Sequence, residues 1–482
     1  MNKRLRVLMT GYEIAPFYKS GGLGDVMGSL PKALKEVNVN CRVVVPYYQE
    51  IRENFKERKI GEFYIHFGDK KEEISIYEGF FSEDRVVIYF LSNKPNLSHV
   101  KNHGRNKKID QFAFFDLAVT HFVLWLGKHG GWDPTLIHCN DWHTALIPLI
   151  LKQINLSIPT LLTIHNLSYQ GWGSREVLNL LHIKEEDAKE LKQNVLAREI
   201  NILGEGIIHA TRVSTVSKTY AQEISHPNNQ LIYKYIQKRE EKNEKDGRII
   251  GILNGIDYNV WNPEKDGFIV QKFNLTNWFV AKAKNKEDLL KNLSLLNRPT
   301  FCFVGRMASQ KGLDIIIKAI KRLVELDVNI IILGSGQPKI EKSVKKIESQ
   351  YQSNIKAIFS YSEELAHKIY AGSDFILIPS HFEPCGLIQM IAMRYGTLPV
   401  ASKTGGLKDS IKNNSSGFLF EKDKTRAFVK TVKRALRVYK DVSRYKIMVE
   451  RAMKTDFTWR KSAIKYKKIY FSTIKHANNF FG

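Results

Sequence analysis

A lysine and two adjacent glycines separate an apolar segment from a helix-like segment near the start of the chain. The stretch YKSGGLGDV covers residues 18–26 and contains Lys19, Gly21 and Gly22. Glycines let the backbone approach a ligand closely, and a helix start offers unpaired N–H donors with a partial positive charge. With the charge of Lys19 added, the pattern predicts an anion site suited to phosphate. A turn at a helix start with a surface lysine is the alternative interpretation.

The spacing of these residues fits neither of two common phosphate-binding signatures. It is not GxxxxGK[ST], so a P-loop ATPase is not indicated. It is not GxGxxG, so a dinucleotide-dependent dehydrogenase is not indicated either.

Two cations follow an apolar strand pattern in the second half of the chain. The stretch FVGRMASQKGLD, residues 303–314, contains Arg306 and Lys311 just before a helical segment. Arginine can donate two parallel hydrogen bonds and lysine acts as a point charge. Together, at the carboxyl end of a strand, they can bind a diphosphate.

An acidic residue and a second glycine pair follow later strands. In residues 378–409, Glu383 precedes Pro384 and a helix start, an arrangement suited to recognition of hydroxyl groups. The stretch TGGL, residues 404–407, repeats the Gly-Gly helix start of the first half. In TIHNLSYQG, His165 stands at the tip of a strand, where a histidine is either structural or part of a site.

The elements that position these residues form two series of short apolar strands separated by helical patterns. Such alternation predicts an α/β protein with two doubly wound, Rossmann-like parallel sheets, in which ligands bind beyond the carboxyl ends of the strands. Residues 110–130 predict a buried helix, residues 60–78 an antiparallel excursion, and the polar residues 227–247 a mobile loop or a solvated helix. The predicted strands are 5–9, 41–48, 86–91, 136–141, 160–166 and 213–217, then 300–306, 328–336, 355–361, 375–380 and 398–402.

Length and composition indicate a folded protein of two or three domains. The chain has 482 residues, of which 43% are hydrophobic and 11% aromatic. We expect no membrane span, because no apolar run is as long as a bilayer requires, and no signal peptide, because the first residues pass directly into a strand pattern. The four cysteines lie far apart and lack metal-type spacing, which predicts a cytoplasmic protein.

The balance of charge is strongly basic. Seventy-four Lys and Arg residues against 49 Asp and Glu give a net charge of +25. A nucleic-acid partner has to be considered, but zinc-finger, RRM and basic-leucine patterns are absent from the sequence. We therefore expect no nucleic-acid partner and interpret the lysines as a solvated enzyme surface, a charge that also suits a phosphorylated substrate.

Seven stretches in order along the chain resemble the bacterial glycogen synthase and plant starch synthase family. These are KSGGLGDV, HCNDWH, TIHNLSYQG, GILNGIDYNVWNP, GRMASQKGLD, FEPCGL and YGTLPVASKTGGLKD. The resemblance covers nearly the whole chain. It implies a retaining glucosyltransferase of the GT-B architecture, in which two Rossmann-like domains face each other across a cleft.

The resemblance implies a role for each matching residue. Glu383 would lie under the glucose ring, His165 beside it, and Arg306 and Lys311 at the diphosphate leaving group, as the catalytic set. Lys19 would contact the ADP-glucose donor and Tyr361 would stack on adenine. The further residues expected to bind substrate are Gly21, Gly22, Asp141, Asn254, Cys385, Gly386, Leu387, Thr404, Gly405 and Gly406.

The expected activity is transfer of glucose from ADP-glucose to the non-reducing end of an α-1,4-glucan such as glycogen, with retention of configuration. We expect no cofactor and no metal, because no acidic cluster suited to Mg²⁺ is apparent and lysine and arginine can stabilise the leaving group. The alternatives are a GT-B enzyme that uses UDP-glucose or another acceptor, and an inactive protein that binds polyanions or polysaccharide. Gly204 departs from the family, which usually has a lysine there.

The predicted domains are residues 1–262, which contain the Lys-x-Gly-Gly-Leu loop on the acceptor side, and residues 263–454, which bind the nucleotide sugar. By resemblance, residues 455–482 form a helix that crosses back to the first domain. Because expected donor-binding residues fall in both domains, we expect closure of the domains around the donor.

Overall fold

Two sheets organise the chain, and each collects one of the two predicted strand series. The structure, a computed structural model, describes residues 5–55, 57–81, 85–99, 105–184, 199–243, 247–360 and 362–481. Its strands are β1 (Arg6–Thr10), β2 (Asn40–Pro46), β3 (Arg58–Phe67), β4 (Lys70–Phe80), β5 (Val87–Ser92), β6 (Leu136–Asn140), β7 (Thr160–Ile164), β8 (Trp172–Ser174), β9 (Glu199–Asn201), β10 (Arg212–Thr215), β11 (Ile250–Gly251), β12 (Thr300–Val304), β13 (Asn329–Leu333), β14 (Ile355–Ile358), β15 (Phe375–Ile378), β16 (Leu398–Ser402) and β17 (Phe418–Phe420).

Helices connect most of these strands, as the alternating sequence pattern predicts. They are α1 (Gly22–Glu36), α2 (Gln49–Asn54), α3 (Lys94–Leu97), α4 (Arg105–Trp125), α5 (Ile147–Gln153), α6 (Glu176–Leu180), α7 (Ile202–His209), α8 (Lys218–Ile224), α9 (Gln230–Asn243), α10 (Trp278–Asn292), α11 (Leu313–Val324), α12 (Pro338–Gln350), α13 (Glu363–Gly372), α14 (Ile388–Arg394), α15 (Gly405–Ser410), α16 (Thr425–Lys440), α17 (Val442–Met453) and α18 (Trp459–Phe481).

The first sheet has nine strands in the order β11-β10-β7-β6-β1-β2-β5-β4-β3. The strands from β11 to β5 are parallel, whereas β4 pairs antiparallel with both β5 and β3. This confirms the antiparallel excursion expected at residues 60–78. The strand order reverses between β1 and β6, and such a switch point in a parallel sheet opens a crevice beyond the strand ends.

The second sheet has six parallel strands in the order β14-β13-β12-β15-β16-β17. Its central strands are buried along their whole length because they consist mainly of apolar residues, such as Ile330–Leu333 in β13. The order reverses between β12 and β15, which gives this sheet a switch point as well.

The chain divides into two compact units around these sheets. The first contains residues 1–216, 221–252 and 459–482, and the second contains residues 217–220 and 253–458. The predicted boundary at residue 262 falls within the second unit, which begins at Leu253 in this part of the chain. Helix α18 belongs to the first unit, where Ala463, Tyr466 and Tyr470 join the core beside α1 and β1.

One helix is long and apolar enough to cross a membrane by length and composition alone. It spans Lys107–Gly130, and most of it is buried inside the protein. This contradicts the expectation that no apolar run is long enough for a span. It confirms the buried helix expected at residues 110–130, because the apolar side chains around the helix pack into the first unit.

The polar segment 227–247 contains helix α9, which is anchored by a buried arginine. The Arg239 guanidinium donates to the carbonyl oxygens of Ile207, Ala210 and Thr211 at distances of 3.0, 2.6 and 2.7 Å. These carbonyls lie at and just beyond the end of α7, where cationic donors are favourable. The described part of this segment is therefore the helix and not the mobile loop of the two expected alternatives, and this helix is packed through Arg239 and not fully solvated.

Candidate active site

The loop between β1 and α1 is organised around a buried carboxylate. Glu13 is only 1% exposed, and Oε2 accepts hydrogen bonds from the N–H and hydroxyl groups of Ser20 at 2.5 and 2.6 Å and from the Gly21 N–H group at 3.0 Å. Its Oε1 accepts from the Gly24 N–H group at 2.8 Å. Glu13 therefore occupies the anion position at the start of α1.

This arrangement corrects one sequence expectation. The N–H groups of Gly21 and Gly24 are not unpaired donors waiting for a phosphate, because a carboxylate from the same chain already accepts them. Lys19 is exposed, and its ammonium lies 2.6 Å from Asp25 Oδ1 in the first turn of α1. The loop thus presents the Lys19 cation from a helix start whose partial positive charge is balanced by Glu13.

Asp141 follows β6 on the other side of the first switch point. Its backbone is left-handed, with φ of 59°, and its Oδ1 accepts the backbone N–H groups of His165 and Asn166 at 2.6 and 3.3 Å. Burial raises the pKa of Asp141 to about 7, although the two N–H donors oppose the shift. Asp141 therefore changes its charge near neutral pH and fixes the loop that carries His165.

The imidazole of His165 is held by a chain of hydrogen bonds. Its Nε2 lies 2.9 Å from Asn140 Oδ1, and Asn140 Nδ2 donates to the Thr10 carbonyl oxygen at 3.0 Å. Because Oδ1 can only accept, Nε2 carries a proton and donates. Burial lowers the pKa of His165 to about 3, so the ring is neutral at physiological pH.

A second histidine in this region, His138, is buried and forms hydrogen bonds to residues of β7 and α18. His138, in β6, lies 2.7 Å from Thr163 Oγ1 through Nε2 and 2.9 Å from the Tyr470 hydroxyl through Nδ1. Burial lowers the pKa of His138 to about 3, so it is also neutral. The contact with Tyr470 links α18 to β6, the strand that Asp141 follows.

In the second unit, the switch point brings Lys311 and Glu383 together. Lys311 ends a 3₁₀ helical turn after β12, and Glu383 follows β15, the neighbouring strand. The Lys311 ammonium lies 2.7 Å from Glu383 Oε2, which also accepts the Ser380 hydroxyl at 3.0 Å. Glu383 is only 5% exposed, so this ion pair is largely shielded from water.

Arg306 stands two positions beyond the end of β12, and its side chain is exposed. The backbone on either side of it is fixed, since Gly305 donates to the Leu333 carbonyl oxygen and Met307 to that of Ser335. A flexible guanidinium on a fixed backbone can reach an anion beyond the sheet edge.

The loop from Glu383 to Leu387 is packed against the second glycine pair. The Gly406 N–H group donates to the Glu383 carbonyl oxygen at 2.9 Å. A Cβ atom on Gly405 would lie 2.0 Å from that oxygen, and one on Gly406 would lie 2.0 Å from the Cys385 carbonyl oxygen. Gly405 and Gly406 therefore let two backbone segments touch, and Thr404, which precedes them, is fully buried.

Cys385 and Asn254 are in contact beside this loop. The Asn254 N–H group donates to the Cys385 thiol, and burial raises the thiol pKa to about 12, so Cys385 is a poor nucleophile. Asn254 Oδ1 is buried and has no hydrogen-bond partner among the described residues.

The predicted site residues fall into two groups. Asp141 and His165 are in contact in the first unit, where Lys19, Gly21 and Gly22 form the neighbouring helix start. Lys311, Glu383, Gly405 and Gly406 are in contact in the second unit, where Gly386 and Leu387 continue the loop and Asn254 contacts Cys385. Arg306 follows the neighbouring strand β12. Tyr361 lies outside the described residues.

Three residues that contact these groups, and one that lies in the loop just before Glu383, were missed in the sequence. Glu13 was detectable as a lone acidic residue upstream of a helix start. Ser380 was detectable as a polar residue directly after a strand. Asn140 and His381 gave no signal of their own, because their partners come from distant parts of the chain.

The structure explains the departure at Gly204. A Cβ atom there would lie 2.5 Å from the ring of Tyr235 in α9. The lysine usual in the family has no room at this position unless Tyr235 moves. Within the described residues, no group of three or more His, Cys, Asp or Glu side chains could hold a metal ion.

Two parallel-sheet units with cations and carboxyl groups at their switch points define a glycosyltransferase of the GT-B class. The starch synthase catalytic domain model matches residues 6–236, and the group 1 glycosyl transferase model matches residues 284–454. The chain belongs to the glycogen and starch synthase family. The fold and the family expected from the sequence are thereby confirmed.

Relatives and solved structures agree with this assignment. A glycogen synthase of Thermodesulfovibrio yellowstonii is 36% identical over 507 residues, covering 98% of each chain. The catalytic domain of starch synthase IV from Arabidopsis thaliana, solved with ADP and acarbose, is 31% identical, with a TM-score of 0.84 over 98% of this chain and 100% of that one. Sucrose-phosphate synthase from Thermosynechococcus elongatus shares the fold at 16% identity, with a TM-score of 0.61 over 97% and 99% of the chains.

Proposed function

We propose that this glycogen or starch synthase transfers the glucosyl group of ADP-glucose to the non-reducing end of an α-1,4-glucan, with retention of configuration. The observation that carries the proposal is the shielded contact of Lys311 with Glu383 at the second switch point. The relative solved with ADP supports an adenine nucleotide as the leaving group.

Lys311 is suited to serve two acceptors at once. An ammonium has three N–H donors, one of which points to Glu383 at 2.7 Å. The remaining donors can bind phosphate oxygens of the departing ADP, on which negative charge develops as the bond to the anomeric carbon breaks. Arg306 adds a second cation, and both stabilise the transition state more than the ground state.

Glu383 and His165 are suited to the sugar. The glucosyl group acquires oxocarbenium character as ADP leaves, and the Glu383 carboxyl group can stabilise that positive charge. His165 stays neutral because burial lowers its pKa to about 3, so it does not repel the developing cation. Lys19 and Asp141, in the first unit, are proposed as further donor-binding residues.

The proposal also covers the compartment in which the chain works and the molecules that it binds. The chain is proposed to work in the cytoplasm, with ADP-glucose and a glucan as its partners and with no nucleic acid or membrane. Its positive side chains would stabilise the leaving group without a metal ion.

The test is transfer of radiolabelled glucose to glycogen, with ADP-glucose and UDP-glucose compared in parallel, each with and without EDTA. We expect incorporation from ADP-glucose that resists EDTA and is released by an exo-acting α-1,4-glucan hydrolase. Glu383→Gln should abolish most of it. Faster transfer from UDP-glucose would refute the donor assignment, and glucan binding without transfer from either donor would refute the activity.

A further inference from the structure

A histidine two residues before Glu383 is bound by two carboxylates from different elements. His381 Nε2 lies 2.9 Å from Asp314 Oδ1, in the first turn of α11. Its Nδ1 is hydrogen-bonded to Asp423 Oδ1, which follows β17. The ring therefore joins the loop after β15 to two elements that are distant in sequence.

The backbone of the same loop is tied to the turn that carries Lys311. The His381 N–H group donates to the Gln310 carbonyl oxygen at 2.9 Å, and Gln310 Nε2 donates to the Phe382 carbonyl oxygen at 3.2 Å. The neighbouring residues are Lys311 and Glu383, whose side chains meet. A displacement of His381 would thus be passed directly to the Lys311–Glu383 contact.

We propose that His381 is a positioning residue for Glu383: its imidazolium ties the loop to Asp314 and Asp423 at once, and loss of one ring proton releases one of these ties and lowers turnover. Only the charged ring has two N–H donors, whereas the neutral ring has one donor and one acceptor. A carboxylate cannot donate to the ring nitrogen that has lost its proton.

The charges around the ring favour the imidazolium. Asp314 and Asp423 face it from α11 and from the turn after β17, and Lys318 faces Asp314 at 2.9 Å from the other side. Although partial burial opposes it, these two carboxylates raise the pKa of His381 above its usual value of 6.5. The ring therefore keeps its charge to a higher pH than an unperturbed imidazole does, and once it loses a proton the ties are reduced to one.

The inference rests on the proposed glucosyl transfer, so the test has two arms. One arm measures enzymatic activity, and the other follows the His381 ring without any activity measurement. The activity arm measures kcat for ADP-glucose against pH in the wild type and in His381→Arg, which keeps two donors and a permanent charge. Groups that titrate in both proteins, such as Asp141, cancel in the ratio of the two kcat values. We expect the kcat of His381→Arg divided by the kcat of the wild type to rise with pH as the wild-type ring loses its proton. A value of this ratio that is constant with pH would overturn the inference.

Other variants separate positioning from a general loss of structure. His381→Gln, which is uncharged and has one amide donor group, should lower kcat on the order of 10–10²-fold while changing KM less. In Asp423→Asn the imidazolium loses one of its two carboxylate partners, so the pKa of His381 should fall. The decrease of kcat with rising pH should then begin at a lower pH than in the wild type. His99→Gln is the matched control, since His99 is 57% exposed and, within the described part of the chain, pairs with the carboxylate of Glu50 alone, at 3.6 Å. A fall of kcat in the control equal to that in His381→Gln would contradict a specific role.

The second arm needs no enzymatic activity. The imidazole signal of His381, assigned by its loss in His381→Arg, is followed by NMR against pH in the full chain. A midpoint above 6.5 that drops in Asp423→Asn supports the two-carboxylate tie, and a midpoint at or below 6.5 overturns it. Absence of glucosyl transfer in the wild type would refute the proposed function, and the NMR midpoint would still decide whether the tie exists.

Discussion

The ammonium of Lys311 lies 2.7 Å from Oε2 of Glu383, and the two residues follow neighbouring strands, β12 and β15, in the second sheet. The cation and the carboxyl group thus meet at the point where the strand order reverses. Their contact couples the proposed leaving-group cation to the residue proposed to lie under the sugar, so a change in either should affect the same chemical step.

Replacement of Lys311 by methionine should reduce kcat by roughly 10²–10³-fold, the usual cost of losing one preorganised charge. Both Glu383 and the departing diphosphate lose a cation, and the effect should appear in kcat more than in KM. Steady-state rates with ADP-glucose measure it. Lys368→Met is the matched control, because Lys368 pairs with Glu364 on the surface of α13 and such pairs contribute little. A Lys311→Met enzyme as fast as this control would contradict the assignment.

Replacement of Glu13 by glutamine should weaken the binding of ADP-glucose and also lower the stability of the folded chain. An amide would place donor hydrogens against backbone N–H groups that Glu13 now accepts, such as that of Gly24. We expect the free energy of unfolding to fall by about 1–3 kcal/mol and KM for ADP-glucose to rise, because the loop that presents Lys19 shifts. Urea unfolding and initial rates measure the two effects. Glu36→Gln, at the exposed end of the same helix, should change neither, and an equal loss there would argue against a specific cap.

The strand ends that carry the site could be predicted from the sequence, but the contacts between side chains could not. Lys311 and Glu383 each follow an apolar run, and the rule that ligands bind beyond parallel strands places both at one edge. Their mutual contact depends on β12 and β15 being neighbours, and strand order is not encoded in either run alone.

The same reasoning explains why Glu13 and His381 were missed. Glu13 reaches the start of α1 only because the loop after β1 folds back on itself, which no local propensity dictates. His381 is significant only through Asp314 and Asp423, which come from elements far apart in sequence. The sequence patterns predict elements and their periodicity, whereas tertiary packing determines such pairings.

The stability of the chain should depend on pH through Asp141. Its pKa is raised from 3.8 to about 7, so between these values the folded chain holds a proton that the unfolded chain has lost. Stability therefore falls as pH rises through this window. Asp141→Asn cannot titrate, so its stability relative to the wild type should increase with pH, by at most ~1.4 kcal/mol per pH unit.

Urea unfolding of both proteins from about pH 5 to about pH 8 measures this difference. Asp69→Asn serves as the control, because Asp69 is exposed in the turn between β3 and β4 and should show no such trend. A constant difference between Asp141→Asn and the wild type across the range would contradict the raised pKa.

Replacement of Gly406 by alanine should displace the loop that carries Glu383. The new Cβ atom would lie 2.0 Å from the Cys385 carbonyl oxygen, so one of two backbone segments must move. The displacement would also stretch the hydrogen bond from Gly406 to the Glu383 carbonyl oxygen, now 2.9 Å. We expect kcat to fall by about 10²-fold and the free energy of unfolding by about 1–3 kcal/mol.

Gly267→Ala is the matched control, because a Cβ atom there meets nothing within 4 Å. Rates measured well below the unfolding temperature separate the two effects, and a Gly406→Ala enzyme with the kcat of the control would show that the glycine pair does not position Glu383.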